Sequence, residues 1–439
     1  MGTINHSCST AIAACLLAWA TLGPVHASDA APQEDTSTPV ATPKPDWWHG
    51  QGFLGDWGGE RSKLHREGVD FFGNFQVQSA AIVHGGKQRG IQSNHQIVVG
   101  TKLDLDKLLG ISHAGFTFAV SDRFGSNASN LAGTRVIINS NYGEGENFRL
   151  ANLSFNQSFY KGRLSYQLGW FPAAAEFDYN PLLCSFLNQG FCGHPNSLGA
   201  DSGGFQNPPG AQLGARITGY ILPDVYLKVG VFDVNPSLYI NNSPGFHLGT
   251  SGDTGTIYLT ELGWSPHVGE QGLPGNYKIG GYYDTSKAPD VVNPKRQREG
   301  RSNGWISIDQ MVWSPGDTHR GLILFANLTQ ADKTNAQIES YDSAGIVFQG
   351  PFASRPQDIF SLGWAKSNLN TRKLAAEMRG RPTGKFYGAE EYIDMSYRFQ
   401  INAWLFLTPD VQYLMNPGAF SAAHYRNATV VGGELAIKF

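Results

Sequence analysis

The chain ends in Asn427 to Phe439, NATVVGGELAIKF, and this stretch decides what kind of sheet the rest can build. Counting back from the carboxyl end, Phe439, Ile437, Leu435, Gly433, Val431 and Thr429 share one face of an extended strand. Lys438, Ala436, Glu434, Gly432 and Val430 share the other. Side chains alternate across a strand with a period of two, so this segment has an apolar side and a wet side. In a soluble sheet the apolar side would cover a core. In an outer-membrane barrel it meets lipid, and the other side lines an aqueous lumen. An aromatic residue at the strand end suits a membrane-interface girdle.

The same alternation recurs upstream. Phe71, Gly73, Phe75 and Val77 oppose Phe72, Asn74, Gln76 and Gln78. Ile97, Val99, Thr101, Leu103 and Leu105 oppose Gln96, Val98, Gly100, Lys102 and Asp104. Comparable segments follow at 116–121, 152–159, 163–170, 212–218, 225–231 and 393–400, while parity is weak near 254–264 and 303–314. The spacing predicts roughly sixteen antiparallel strands. Short connections at 160–162, 222–224 and 401–404 alternate with long ones at 124–146, 172–210, 234–253, 285–302 and 367–385. Short turns on one rim and long loops on the other is the outer-membrane pattern. The fold class is therefore an all-β transmembrane barrel over residues 69–439. In hydrocarbon an unpaired backbone group costs several kcal/mol, so the last strand must close on the first.

Composition agrees. The 439 residues include Gly 53, Phe 26, Tyr 17 and Trp 10, the residues of turns, strands and interfaces rather than helical bundles. A net charge of -3 carries no basic excess, so nucleic acid is not an expected partner. Mean hydropathy is -0.27, and no apolar run past the N-terminus is long enough for a transmembrane helix. Residues 1–27 read as a secretory signal, with an apolar core from Ala11 to Gly23 and the cleavage-type triplet Val25-His26-Ala27. Residues 28–46 form a Pro/Thr/Ala-rich disordered linker, and 47–68 a periplasmic helical segment that Asp56 caps and Gly68 ends. Export places the chain in an oxidising compartment, where Cys184 and Cys192 most simply form one disulfide.

Two motifs bracket almost the whole mature chain. Gly55-Asp56-Trp57-Gly58-Gly59, with Arg61 and Leu64 following, resembles the opening motif of the carbohydrate-selective porin (OprB-type) family. The run from Trp404 to Tyr413, WLFLTPDVQY, with Asn416-Pro417-Gly418 after it, resembles that family's C-terminal part. Phe439 is similar to the terminal phenylalanine by which Gram-negative outer-membrane proteins are recognised for assembly. The resemblance implies passive diffusion of small, glucose-like carbohydrates through a channel that loops narrow, with outer-membrane lipid and lipopolysaccharide as surroundings.

No catalytic signature is present: GxxxxGK[ST], HExxH, GxSxG and CxxC are all missing, and the histidines have no metal-ligand spacing. No cofactor, metal ligand or catalytic residue is expected. A lumen of sixteen strands is too wide to select a small solute unless something narrows it. The longest connection, 172–210, holds the Cys184–Cys192 pair and is either folded into the lumen or an external loop stapled against proteolysis. The wet faces carry ionic groups of both signs: Lys102, Asp104, Arg123, Arg216, Lys228, Asp394, Arg398 and Glu434. Arginine donors beside carboxylate acceptors can replace the water shell of a neutral polyol. Phe186, Phe191 and Phe205 are candidates for sugar stacking, or loop packing. Cations in 285–302 would steer anionic solutes, bridge lipopolysaccharide phosphates or remain solvated.

Three other readings stay open: a general or anion-preferring porin, a soluble exported all-β carbohydrate-binding protein or enzyme, and a barrel enzyme assembled across strands. The chain would work as a monomer or homotrimer in the outer membrane of a Gram-negative bacterium. The face assignment has a direct check. Val431→Arg puts a charge into lipid at a cost of roughly 2–4 kcal/mol and should impair assembly, whereas Glu434→Arg changes only lumen charge. Heat-dependent gel mobility of both variants decides it, and the opposite outcome reverses the faces.

Overall fold

The computed structural model describes residues 47–439, apart from 143–146, 240–244, 247, 317–318, 381–385 and 422. The expected signal and linker, 1–46, lie outside the described residues. Sixteen long strands follow in chain order: β1 (Val69–Gly86), β2 (Gly90–Asp104), β3 (Ala114–Gly125), β4 (Asn147–Phe159), β5 (Leu164–Phe171), β6 (Gln212–Leu222), β7 (Val225–Val234) and β8 (Gly255–Trp264) form the first half. The second half is β9 (Leu273–Asp284), β10 (Arg301–Trp313), β11 (Gly321–Ala331), β12 (Ile338–Gln349), β13 (Ile359–Leu369), β14 (Ala389–Gln400), β15 (Leu405–Met415) and β16 (Arg426–Lys438). Each pairs antiparallel with its sequence neighbours, and β16 pairs with β1 in the register Phe75↔Ile437, Val77↔Leu435, Ser79↔Gly433. The sheet therefore has no edge through the membrane, which satisfies the backbone where no water can.

The alternation read from β16 holds in three dimensions. Val431 and Leu435 are 47% and 40% exposed on the outer wall, while Val430 and Glu434 are buried on the inner one. Where parity was weak, both faces are apolar. Strands β8 and β10 turn Tyr258, Leu262, Ile306 and Val312 outward, but also Ile257, Leu259 and Trp305 inward. The inward set packs in a dry cluster with Phe171, Phe177, Leu198 and Phe205. A chain segment inside the lumen has erased the polar half of the pattern there.

Leu105, assigned by alternation to the lipid face of β2, instead opens a short helix, Leu105–Leu109. Asp104 accepts from the amides of Asp106 and Lys107 at 3.1 and 3.3 Å, and the left-handed Gly110 ends the turn. The rim carrying both termini has the connections 105–113, 160–163, 223–224, 265–272, 314–320, 350–358 and 401–404. The opposite rim carries the long ones, although 87–89 and 332–337 there are short. One of the long loops, between β7 and β8, lays Gly245 along the free upper edge of β4, with the Leu150 amide donating to the Gly245 carbonyl at 2.9 Å. It covers Trp170, whose position in the alternation had implied lipid; the ring is buried with Leu150, Ala211 and Leu238.

Ahead of β1 lies the helix Glu60–Glu67. Asp56 serves it from outside its first turn, accepting from the Ser62 amide at 2.9 Å and the Ser62 hydroxyl at 2.7 Å. Those bonds hold the exposed carboxyl below its ordinary range. Gly68 takes the left-handed φ of 98° that stops the helix. This segment grips the end of the barrel seam. The Phe53 amide donates to the Lys438 carbonyl at 2.8 Å, and the Phe439 amide donates to Gly73 at 2.9 Å. Arg61 donates to the Phe439 and Phe71 carbonyls at 2.8 and 3.0 Å. Trp47, Trp48 and Phe53 surround Trp404 with ring centroids 4.8, 5.6 and 5.4 Å away. Gly52 passes so close beneath Phe439 that a Cβ would lie 2.8 Å from its backbone carbon.

Arg61→Ala should leave the barrel closed but loosen its seam by about 1–2 kcal/mol, the scale of a charge-assisted bond at a half-exposed site. The expected sign is a lower midpoint for heat-induced loss of compact gel mobility. An unchanged midpoint would show that the segment merely rests on the seam.

Candidate functional site

Two stretches from the far rim fold into the lumen, 126–142 and 172–211. They are joined to each other: the Ser140 amide donates to Leu187 O at 3.0 Å and the Gln189 amide to Ile137 O at 2.9 Å. The longer loop crosses most of the inner wall. Its core is aromatic and dry, so burial drives it inward while polar side chains fix its path. Asn180 donates to Asp309 at 3.1 Å, Ser396 to Ser185 O at 2.7 Å, and Tyr282 to Leu198 O at 2.9 Å. The Tyr341 hydroxyl bonds Gly190 O, and the Lys278 ammonium bonds Tyr179 O. Cys184 and Cys192 form a disulfide that closes the innermost turn. Of the two readings of this connection, the lumen one describes the molecule.

The ionic residues expected on the lumen wall are there, and five of six touch this loop. Arg123 donates to Gln96 at 2.5 Å and to Pro208 O at 3.3 Å. Arg216 is buried, its Nε 2.9 Å from Glu176, with further bonds to Ser165 at 2.8 Å and Gln167 at 3.1 Å. Lys228 lies 3.7 Å from Glu261 and donates to the Glu176 carbonyl. Asp394 accepts from the Asn188 amide at 3.0 Å, and Arg398 donates to Cys184 O at 2.6 Å. Glu434 is the one of the six without a bond to the loop; it accepts from Gln78 at 2.8 Å and, with Arg398, lines the space below. Of the other two charges on the wet faces, Lys102 lies over the Phe72 ring and Asp104 caps the turn helix at the rim.

The three stacking candidates sit elsewhere. Phe186 and Phe191 are stacked on each other at 4.4 Å and packed on Phe325, and Phe205 is packed against Tyr282 and Trp305. None is more than 2% exposed, so their ring faces are closed to a solute and hold the loop to the wall. The cations of 285–302 are also largely engaged. Arg298 grips Asp290 at 2.5 Å and, with the Val292 and Asn293 amides, holds that carboxyl well below its usual range. Arg301 bonds Asp201 O and Lys287 O at 2.6 and 2.8 Å, and Lys287 pairs with Glu299. Lys295 and Arg296 remain exposed.

Below the loops, on the side of the termini, opens a cavity of about 70 Å³. Its lining mixes the disulfide and apolar side chains such as Ile359 and Ile437 with six neutral amides: Asn74, Gln76 and Gln78 from β1, Asn141 from the shorter loop, Gln357 and Gln400. Phe406, Arg398, Glu434 and Lys438 complete one side. Asn74 Oδ1 and Asn141 Nδ2 are buried without a hydrogen-bond partner among the described residues. So are Asn94 Oδ1, Ser121 Oγ and Asn152 Nδ2 on the inner faces of β2 to β4. Leaving such a group unpaired costs about 1–3 kcal/mol. Alternation had placed Asn74, Gln76 and Lys438 on the wet side, but nothing in the sequence marked amides above charges. Asn141 lies on a loop and had no signal.

A profile of the Carbohydrate-selective porin, OprB family matches residues 88–439. Porin B of Pseudomonas aeruginosa is 32% identical over 422 residues, 88% of this chain and 91% of that protein. The Putative porin QuiX of Acinetobacter baylyi is 26% identical over 426 residues, 90% and 95% of the two chains. A solved high-pH structure of Pseudomonas putida OprB superposes with a TM-score of 0.82 at 30% identity, covering 89% of this chain and 99% of that one. The closed sixteen-strand barrel, the two motifs and these likenesses agree that this chain belongs to the carbohydrate-selective porin, OprB family.

Proposed function

We propose that the protein is an outer-membrane channel through which small neutral carbohydrates, glucose-like hexoses first among them, diffuse passively. The observation that carries this reading is the set of neutral amides in the lining of the narrowed lumen. A monosaccharide offers many hydroxyls, each both donor and acceptor, and no charge. The amides of Gln76, Gln357 and Gln400, which are open to the cavity, can bond such a solute without a net electrostatic cost. Contact must stay weak, since a site that held sugar tightly would block flux. The cations and carboxylates around the longer loop act one step back, by holding the constriction at its width.

Orientation follows from topology. Both termini lie on one rim, so the short-turn side, with the helix Glu60–Glu67 and the seam grip, faces the periplasm, and the long loops face outward. Residues 1–27 would direct export and be removed. A general or anion-preferring pore is the rival, and it needs the lumen to be open rather than lined for hydroxyls.

Two measurements test this. Liposome swelling with mono- and disaccharides should show hexose entry faster than that of a disaccharide, and equal rates for sugars and for unrelated solutes of similar size would favour the general pore. Arg216→Ala removes one partner of a buried pair, worth about 3 kcal/mol to the loop's anchorage. Single-channel conductance should then rise and sugar block weaken, with assembly intact; unchanged values for both would take Arg216 out of the constriction.

A further inference from the structure

We infer that the cavity on the periplasmic side of the constriction also takes hydroxylated carboxylates, sugars oxidised to their acids, as a second class of solute. This rests on the carbohydrate reading above and extends it. The lining holds two cations, Arg398 and Lys438, against one acidic side chain, Glu434. Glu434 is already served by amides, accepting from Gln78 at 2.8 Å and Gln76 at 3.5 Å. Lys438 forms no ion pair among the described residues; its ammonium lies 4.6 Å from the centroid of the Phe406 ring. Arg398 uses one nitrogen on the Cys184 carbonyl and balances Glu434 across the recess without a contact ion pair among the described residues, which leaves Lys438 as the unmatched charge. The local balance is therefore one uncompensated positive charge in a partly desolvated recess, where field lines are focused and counter-ions concentrate.

The neighbouring groups narrow the choice of anion. A chloride or phosphate would use the cations and leave the amides idle. A hexonate or hexuronate sets its carboxylate at Lys438 while its hydroxyls meet Asn74, Gln76 and Gln400 on the surrounding wall. Lysine suits transit better than a bidentate arginine clamp would, because a single mobile ammonium releases its ligand readily. Two different strands supply the recess, β16 with Glu434 and Lys438 and β1 with the amides, and they are hydrogen-bonded neighbours at the barrel seam.

The test is made on the full-length protein in liposomes and planar bilayers, with gluconate and glucose as paired probes at equal concentration. In the wild type, gluconate should enter at a rate comparable to or above that of glucose, and raising the salt should slow gluconate alone. Lys438→Gln should lower the gluconate-to-glucose flux ratio by at least about threefold, and Lys438→Arg should retain most of it. A ratio unmoved by Lys438→Gln, or a gluconate flux insensitive to salt, overturns the inference. Should Lys438→Gln fail to assemble, the salt dependence of the wild type still decides. Failure of glucose itself to enter would instead sink the underlying carbohydrate reading, so the two outcomes are distinct.

Discussion

Everything in this molecule depends on the pairing of β16 with β1. A sheet of this size could stop at any strand in water, but in hydrocarbon an open edge would leave a column of unpaired amides and carbonyls, each costing several kcal/mol. Closure removes that cost in one step and creates an inside. Once there is an inside, every second residue of every strand must suit it, and the alternation of the sequence follows from that geometry rather than from local propensity.

The inside is not simply a wet tube. One sector, beneath β8 to β10, is as dry as the core of a soluble domain, with Phe171, Phe177, Phe205 and Trp305 in contact. Another, along β1 to β4, is polar and incompletely hydrogen-bonded. The longer loop divides the two. Its aromatic side is anchored by burial and its polar side by charged groups of the wall. Selectivity in this arrangement comes from what is left uncovered.

Much of this was legible in the chain. Period-two patterning gave the strands and their faces, and β16 shows it most plainly because Glu434 and Lys438 sit between Val431, Leu435 and Ile437. Strands β8 and β10 were unreadable for a physical reason: Ile257, Leu259 and Trp305 are apolar on the lumen side because a loop dries them, and no local pattern encodes a partner fifty or more residues away. Arg216 and Asp394 look like solute ligands when only their face is known, and their bonds to Glu176 and Asn188 exist only once the loop has folded inward. Leu105 was assigned to a strand because its hydrophobicity fits either structure, and the capping geometry of Asp104 decides.

The grip of Gly52, Phe53 and Arg61 on the last two residues has a consequence for closure. A segment ahead of β1 docks onto Lys438 and Phe439, at the end of the closing strand. Arg61 reaches Phe71 on β1 and Phe439 beyond β16 at once, while Trp47, Trp48 and Phe53 enclose Trp404, so this clasp is complete only when the first and last strands lie side by side.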